Sequence, residues 1–466
     1  MNGPKNRGTP LPWLQLSIVY AVQLAEPITG TVVYPFLPEF VRRTGITKGD
    51  EAKTGYYSGI VGSVFFAAEC LTVFQWGRAS DVYGRRPILL VGPLGLGLAL
   101  LGFGLSKDFW MLVVFRALQG VFNGNIGVAK TMIAELSDST NIGDAFAIMP
   151  LMWVMGGTIG PVMGGLLADP AARWPDTIGK IGFFHEHRYF LPCAIAALFA
   201  LGIFATASIG LKETHPSFKK AINQVADPNE STALLATTQD VAPIKPPTMR
   251  EVVNPSVVWC MVNFCAVAFL GMGLTALMPL MWSTSIPLGG LGFTPGTIGT
   301  IMAIYGITNS ILQVFFLGKI LRRFGARRVY VWSLASMFVG SLAFALENLA
   351  ARRAGRVDRL VWTLLILHLG ANVTNFAALG AIHVAMVENA TSSATLGATN
   401  GLAQMAASGV RGFSPGLMSA LFSATIDHNI AGGFLVYEVL STLLLLGMCF
   451  GFMIPKMSLA AHRDAK

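Results

Sequence analysis

Two glutamates and two polar stripes are the residues of this sequence whose types and spacing could do chemistry. Glu26 lies near the middle of an apolar run at 13–38, where Gln23, Glu26 and Gly30 share one helical face. Glu69 lies in the next run, at 54–76. In the fourth run Arg116, Gln119, Asn123, Gly127 and Lys130 recur at helical spacing and draw one polar stripe on an otherwise apolar helix. In the tenth run His368, Asn372, Asn375 and His383 draw another. An ionisable side chain at membrane depth is costly, and it marks a solute route, a proton relay or an ion pair. Glu26, Glu69 and Arg116 are the candidates for carrying or coupling a proton. Gln23, Gln119, Asn123, Lys130, His368, Asn372 and Asn375 are the candidates for lining a solute pathway. Glu69 is either a second proton carrier or a partner for Lys130. Each stripe can equally be polar packing between helices. His368 alone is either a packing residue or a ligand or proton group.

Membrane depth has to come from the rest of the chain. Of 466 residues 53% are apolar and 12% charged, whereas a soluble domain has about 25% charged residues. Apolar runs close to the length that crosses a bilayer core recur near 13–38, 54–76, 87–106, 109–134, 144–168 and 189–211. After a break they return near 256–282, 296–320, 328–347, 359–386, 394–421 and 429–454. The expectation is an all-α membrane protein of about twelve transmembrane helices. The runs are too long, and alternate too little, for barrel strands. Their Gly and Ala content suits helices packed closely in lipid. The first run is too long for a signal-peptide core and has no small-residue cleavage pattern after it, so it reads as a retained helix.

Between 212 and 255 the pattern stops at ADPNESTALLATTQD and Pro243, Pro246 and Pro247, a flexible polar linker. The expected organisation is a six-helix bundle at 1–211, a cytoplasmic linker at 212–255, and a second six-helix bundle at 256–466 ending in a short tail. An internal repeat supports the duplication. WGRASDVYGRRP, Trp76–Pro87, packs three arginines and Asp81 into a short link with Gly77 and Gly84. GKILRRFGARR at Gly318–Arg328 repeats both glycines in register and puts Arg322 where Asp81 stands. Pro161 and Pro415 echo each other in the fifth and eleventh runs. Two bundles related by a pseudo-two-fold axis, with a site at the midplane between them, is the logic of secondary transporters.

These residues carry a family resemblance that spans essentially the whole chain. GRASDVYGRRPIL resembles the loop between helices two and three of the major facilitator superfamily. Leu112, Arg116, Gln119 and Gly120 resemble its fourth-helix motif. GGTIGPVMGGLL, with Gly156, Gly160, Pro161, Gly164 and Gly165, resembles the fifth-helix motif of its proton-coupled antiporters. Pro35 and Pro38 resemble their first-helix signature, and Lys212-Glu213-Thr214-His215 the segment that closes their sixth helix. ECLTVFQWGRASD, NGNIGVAKTMIAEL and PLGGLGFTP are most similar to the fungal branch related to the zinc-induced facilitators and drug:proton antiporters. Phe122-Asn123-Gly124 departs from the fourth-helix motif, which has small residues there, and the Cys-rich signature of the plant facilitators is absent. The resemblance implies a proton-coupled transporter that moves a small solute by alternating access, by antiport or efflux, with helices one, four, seven and ten lining the cavity. A non-transporting sensor of the same fold is the alternative. It also implies that Gly77, Arg78, Asp81, Gly84, Arg85 and Arg86 form a breakable latch. Asp81 would face the positive end of helix eleven in the outward-facing state, with Glu135 and Asp138 as further partners for the arginines. The motif glycines of the fifth helix would let helices approach closely.

Other classes are disfavoured. No HExxH or paired catalytic aspartates appear, so no enzyme is expected. Cys70, Cys193, Cys260, Cys265 and Cys449 read as small packing residues with no CxxC spacing, so neither metal nor cofactor is expected. The net charge of +9 comes from basic residues in links between apolar runs, which speaks for a bilayer partner and against nucleic acid. Both termini fall on the side richer in Lys and Arg and are expected in the cytoplasm, although Arg352, Arg353, Arg356 and Arg359 fall opposite. The expected setting is a multi-pass monomer of the plasma or vacuolar membrane, with a small solute and protons as its partners. Finally, counting from a turn near Thr425–Asn429 puts Arg411 and Glu438 at similar depth, so a structural ion pair is expected between them. In the alternative, Arg411 turns inward to an anionic substrate while Glu438 pairs elsewhere.

Overall fold

The structure, a computed structural model, describes residues 9–138, 141–215, 254–389 and 393–455. Most of the expected linker, at 216–253, lies outside the described residues. All regular structure among the described residues is helical. In lipid no water is available for free backbone groups, so a segment that bonds within itself is favoured. The long helices are α1 (Trp13–Thr31), α2 (Thr54–Tyr83), α3 (Arg85–Leu105), α4 (Phe109–Leu136), α5 (Ile142–Leu166) and α6 (Phe190–Gly210). They continue as α7 (Pro255–Ser283), α8 (Pro295–Phe324), α9 (Ala326–Ala354), α10 (Arg359–Asn389), α11 (Ser393–Asp427) and α12 (Leu435–Gly451). Among the described residues eight helices are long and apolar enough to cross a membrane, and Leu151–Leu166 and Leu435–Gly451 are shorter apolar stretches.

Local chemistry sets the boundaries. Asp108, Asn254, Thr294 and Asp358 each accept a hydrogen bond from a backbone N–H in the first turn of α4, α7, α8 and α10. Pro255 and Pro295 open α7 and α8, where a missing N–H costs nothing. The link at Trp76–Pro87 is shorter than the sequence suggests. α2 runs on to Tyr83, so Gly77, expected in the link, sits inside a helix. The whole reversal falls on Gly84, at φ +95° and ψ 160°. Gly325 holds the equivalent place between α8 and α9, at φ +79° and ψ 154°. An L side chain rarely adopts such angles, so the repeat reappears as one backbone shape used twice.

Three helices are interrupted midway. α4 breaks at Gly124–Asn125, α8 passes through a π-turn at Gln313–Leu317, and α10 breaks at Val373. Buried apolar side chains gather in separate cores. One is drawn wholly from residues 260–454, and two come from the first 211 residues. A small cluster of Tyr34, Phe65, Phe66 and Met272 draws on both parts of the chain.

Close contacts between the two parts gather toward the end marked by Thr54, Leu166, Ser283 and Pro295, called here the sealed end. Gly55, Gly59 and Gly62 of α2 lie against Ser419, Gly416 and Pro415 of α11. The Gly416 N–H donates to Ser63 Oγ at 2.8 Å, and the Tyr56 N–H to Ser423 Oγ at 3.1 Å. α5 crosses α8 backbone to backbone: a Cβ on Gly165 would stand 2.0 Å from the Gly299 Cα. Beyond them Arg42 Nη2 donates to the Ser283 carbonyl at 3.3 Å, and the Ser285 N–H donates to Glu51 Oε1 at 2.8 Å.

Candidate functional site

α1, α2, α4 and α11 bring four charged side chains together. Asn123 Nδ2 of α4 donates to Glu69 Oε2 of α2 at 3.1 Å, and the same residue interacts with Glu26 of α1. Lys130, beyond the α4 break, and Arg411 of α11 are the positive groups that act on both acids. Both acids are buried, and both bases are half-buried. Two carboxylates and two cations can offset one another's desolvation, whereas any one alone would be costly in the membrane. Gln23 is buried beside this group on α1, with Nε2 unbonded.

Arg116 is held apart from the acids. Its Nη2 donates to the Gly30 carbonyl at 2.7 Å and its Nη1 to Gln119 Oε1 at 2.8 Å, while the guanidinium lies 4.5 Å from the Phe65 ring centre. α1 ends at Thr31, so the Gly30 carbonyl lacks a helical partner and a cation there is favourable. Arg116 thus ties α4 to the end of α1. Gly120, one turn on, lets α4 touch α2: a Cβ there would stand 2.0 Å from the Phe65 carbonyl oxygen.

Arg411 and Glu438 do not form the expected ion pair. α11 continues to Asp427, a 3₁₀ turn follows at Ile430–Gly433, and α12 starts only at Leu435. Glu438 therefore lies in the first turn of α12 and is exposed. Arg411 lies some four turns below the end of its own helix, at about 1.5 Å per residue. Its guanidinium faces Trp153 of α5 at 5.6 Å and Phe264 of α7 at 5.9 Å.

The α10 stripe also divides, because the break at Val373 turns its two pieces differently. His368 is fully buried against α9, with Nδ1 2.8 Å from Glu347 Oε1. Asn372 and Asn375 line a cavity of ≈ 40 Å³ with Trp282 and Tyr305. His383 lies edge-on to Phe264 at 4.8 Å, on the Arg411 side. A larger cavity of ≈ 400 Å³ at the rim of the sealed end is lined by Arg43, Lys107, Glu186 and Arg188. Its cations are already paired, with Glu39 at 3.1 Å, Glu186 at 3.2 Å and Asp169 at 3.0 Å. The central charges lie elsewhere, and we take them as the site.

At the α2–α3 link Arg85 holds Asp81 at 2.5 Å and Glu135 at 3.1 Å. The Asp81 side chain is 62% exposed and paired inside its own half. Arg86 Nη2 donates to the Ser208 carbonyl at 2.6 Å, and Arg78 lies over Phe74 at 5.7 Å with no acid. Glu213, after α6, closes the arrangement. It accepts from the backbone N–H groups of Arg85 at 2.9 Å and Arg86 at 3.0 Å, capping α3. Burial pushes its pKa up, but the backbone N–H groups of His215, Arg86, Arg85 and Thr214 outweigh this and hold it below the usual glutamate range.

In α5, Cβ atoms on Gly156, Gly160 and Gly164 would strike Pro27, Thr31 and the Val32 carbonyl of the α1 segment. Gly165 meets α8 instead. Pro161 stays inside α5. Sequence reasoning missed Glu347, Trp153, Phe264 and the capping role of Glu213. Glu347 sits at the last position of an apolar run, where a charge looks like a boundary.

The Major Facilitator Superfamily description matches residues 19–290. The major facilitator-type transporter psiT2 of Psilocybe cyanescens is 28% identical, covering 94% of this chain and 90% of its own. The efflux pump azaK of Aspergillus niger is 26% identical, covering 92% and 86%. The crystal structure of a D-xylose-proton symporter superposes with a TM-score of 0.71 at 14% identity, covering 96% and 98%. The chain belongs to the Major Facilitator Superfamily, alongside transporters of that superfamily from fungi and plants.

Proposed function

We propose that this protein is a proton-coupled secondary transporter that exports a small solute by antiport, as a monomer of two six-helix bundles. The bundles correspond to 1–211 and 256–466, joined by a cytoplasmic linker at 212–255, and lie in the plasma or vacuolar membrane with both termini in the cytoplasm. The observation that carries the reading is the four-charge cluster of Glu26, Glu69, Lys130 and Arg411. Its acids belong to one half and Arg411 to the other, so a proton taken by an acid changes what holds the halves together. A ligand shifts a two-state equilibrium only through such a difference between states. The seal at one end and the exposed, internally paired Asp81 at the other support a carrier resting open toward the cytoplasm. Efflux draws support from the efflux pump among its relatives. Arg116 acts by positioning α1 against α4, while Gln23, Gln119, Asn123, Lys130, Asn372 and Asn375 line the route.

The test is purified protein in liposomes holding a pH-sensitive dye, screened against a panel of small solutes with and without an imposed pH gradient. Antiport predicts that a transported solute drives proton movement in the opposite direction. Solute flux indifferent to the gradient, or no flux for any solute beside a folded protein, would count against it.

A further inference from the structure

A second polar cluster lies inside the C-terminal part, away from the four-charge cluster. Glu347 of α9 and His368 of α10 are both fully buried and bonded to each other at 2.8 Å through Oε1 and Nδ1. The remaining polar atom of each, Glu347 Oε2 and His368 Nε2, has no partner. The ring of His368 stacks on Phe344 at 4.3 Å and meets Trp282 of α7 at 6.4 Å. Trp282 Nε1, Asn348 Oδ1 and Asn372 Oδ1 are also buried and unbonded. Buried polar groups are nearly always satisfied. Several unsatisfied ones gather around a single imidazole–carboxylate pair.

The cluster stands directly beneath the seal. Trp282 precedes Ser283 and Ser285, whose backbone meets Arg42 and Glu51 of the other half. Arg352, on the same helix as Glu347, holds the neighbouring turns through the carbonyls of Leu288 at 3.4 Å and Gly432 at 3.2 Å. The charged and titratable groups facing the pair are few. They are Arg352 on α9 itself, Tyr437 on α12, which accepts from Asn348 at 3.2 Å, and Tyr305 on α8, which donates to the Asn372 carbonyl. Trp282 of α7 brings no charge.

We propose that Glu347 and His368 form a second proton-binding site, whose occupancy sets whether the seal closes. With the Nδ1–H donating to the Glu347 carboxylate, the free Nε2 takes a proton from water on that face when the seal is open. The pair is then neutral overall, and closing the seal over it is cheap. Without the proton, closure buries one net negative charge, which costs far more. On reopening, the proton returns from Nε2 to water. Acid on that face therefore favours the sealed state.

The test uses the full chain in liposomes with Ser285→Cys. A membrane-impermeant thiol reagent is added on the sealed face, and its rate is normalised to that with free cysteine. The expected result is labelling about tenfold slower at about pH 5 than at about pH 8, a shift of about 1.4 kcal/mol in the closing equilibrium. The dependence should weaken in Glu347→Gln with His368→Gln, which keeps a hydrogen bond without a titratable group, leaving only the part that Glu26 and Glu69 contribute. It should persist in Glu26→Gln with Glu69→Gln. Labelling independent of pH in the Ser285→Cys protein overturns the proposal, whether or not the double variant folds. So does a dependence that the Gln pair leaves unchanged, or one that Glu26→Gln with Glu69→Gln abolishes alone.

Discussion

Arg411 of α11 places its guanidinium 5.6 Å from the ring centre of Trp153 on α5. A residue from one half of the chain thus stacks on an aromatic from the other, beside two acids that share Asn123. Arg411→Leu should abolish gradient-driven transport by at least about tenfold while folded yield stays within about twofold, because the acids would lose the cation that links them to the other half. Glu438→Leu should change neither. Adding Glu438→Leu to Arg411→Leu should restore nothing. Recovery of folded yield in that double variant, measured by size-exclusion chromatography, would reinstate a structural pair.

The Gly165–Gly299 crossing makes a prediction about state. A Cβ on Gly299 would stand 2.1 Å from the Gly165 Cα, and neither backbone can give way cheaply. Overpacking of this kind costs about 1–3 kcal/mol, and here it falls only on the closed arrangement. Gly299→Val should therefore raise labelling of cysteines placed at the sealed end by about tenfold or more. Gly160→Val differs, because its neighbours Thr31 and Ile28 belong to the same half. That change should lower thermal stability with no preference between states.

Asp81 tests the latch at the other end. Its partner in this state is Arg85, on its own half. On the proposed latch, in which Asp81 meets the positive end of α11 in the other state, Asp81→Asn should change the accessibility of engineered cysteines from the two faces in opposite directions. Unchanged labelling together with unchanged transport would leave the stretch as a topology signal alone.

Glu213 gives a dependence on pH. Its folded pKa is held below the ordinary value, so its contribution is full above that ordinary value and is lost as pH falls through the folded one. Thermal stability of the purified protein should fall across that acidic window, and Glu213→Gln should flatten the fall while lowering stability at neutral pH. A variant with the same acid limb as the parent would remove Glu213 from the account.

Much of this was legible in the sequence where one residue type answers one physical demand. Gly84 and Gly325 were visible because the motif recurs, and both take a backbone angle that favours glycine. The glycines of α5 were visible as a packing face, although nothing local says that Gly165 faces α8 while its neighbours face α1. Arg411 and Glu438 were misjudged because depth was counted from a turn that the helix overruns. The α10 stripe was misjudged because a helical wheel assumes an unbroken helix, and Val373 breaks it. Glu347 needed the tertiary structure, since only the packing of α9 on α10 brings it to His368.

The central claim is that Glu26 and Glu69 carry the coupling proton, with Asn123 bridging them. The most direct measurement is proton movement in liposomes, followed with the trapped dye while a transported solute is supplied, for the parent, Glu26→Gln, Glu69→Gln and the double variant. The account predicts that the double variant still binds the solute and exchanges it down its own gradient but moves no protons and cannot concentrate it. A double variant that still concentrates solute at the expense of a pH gradient would contradict it.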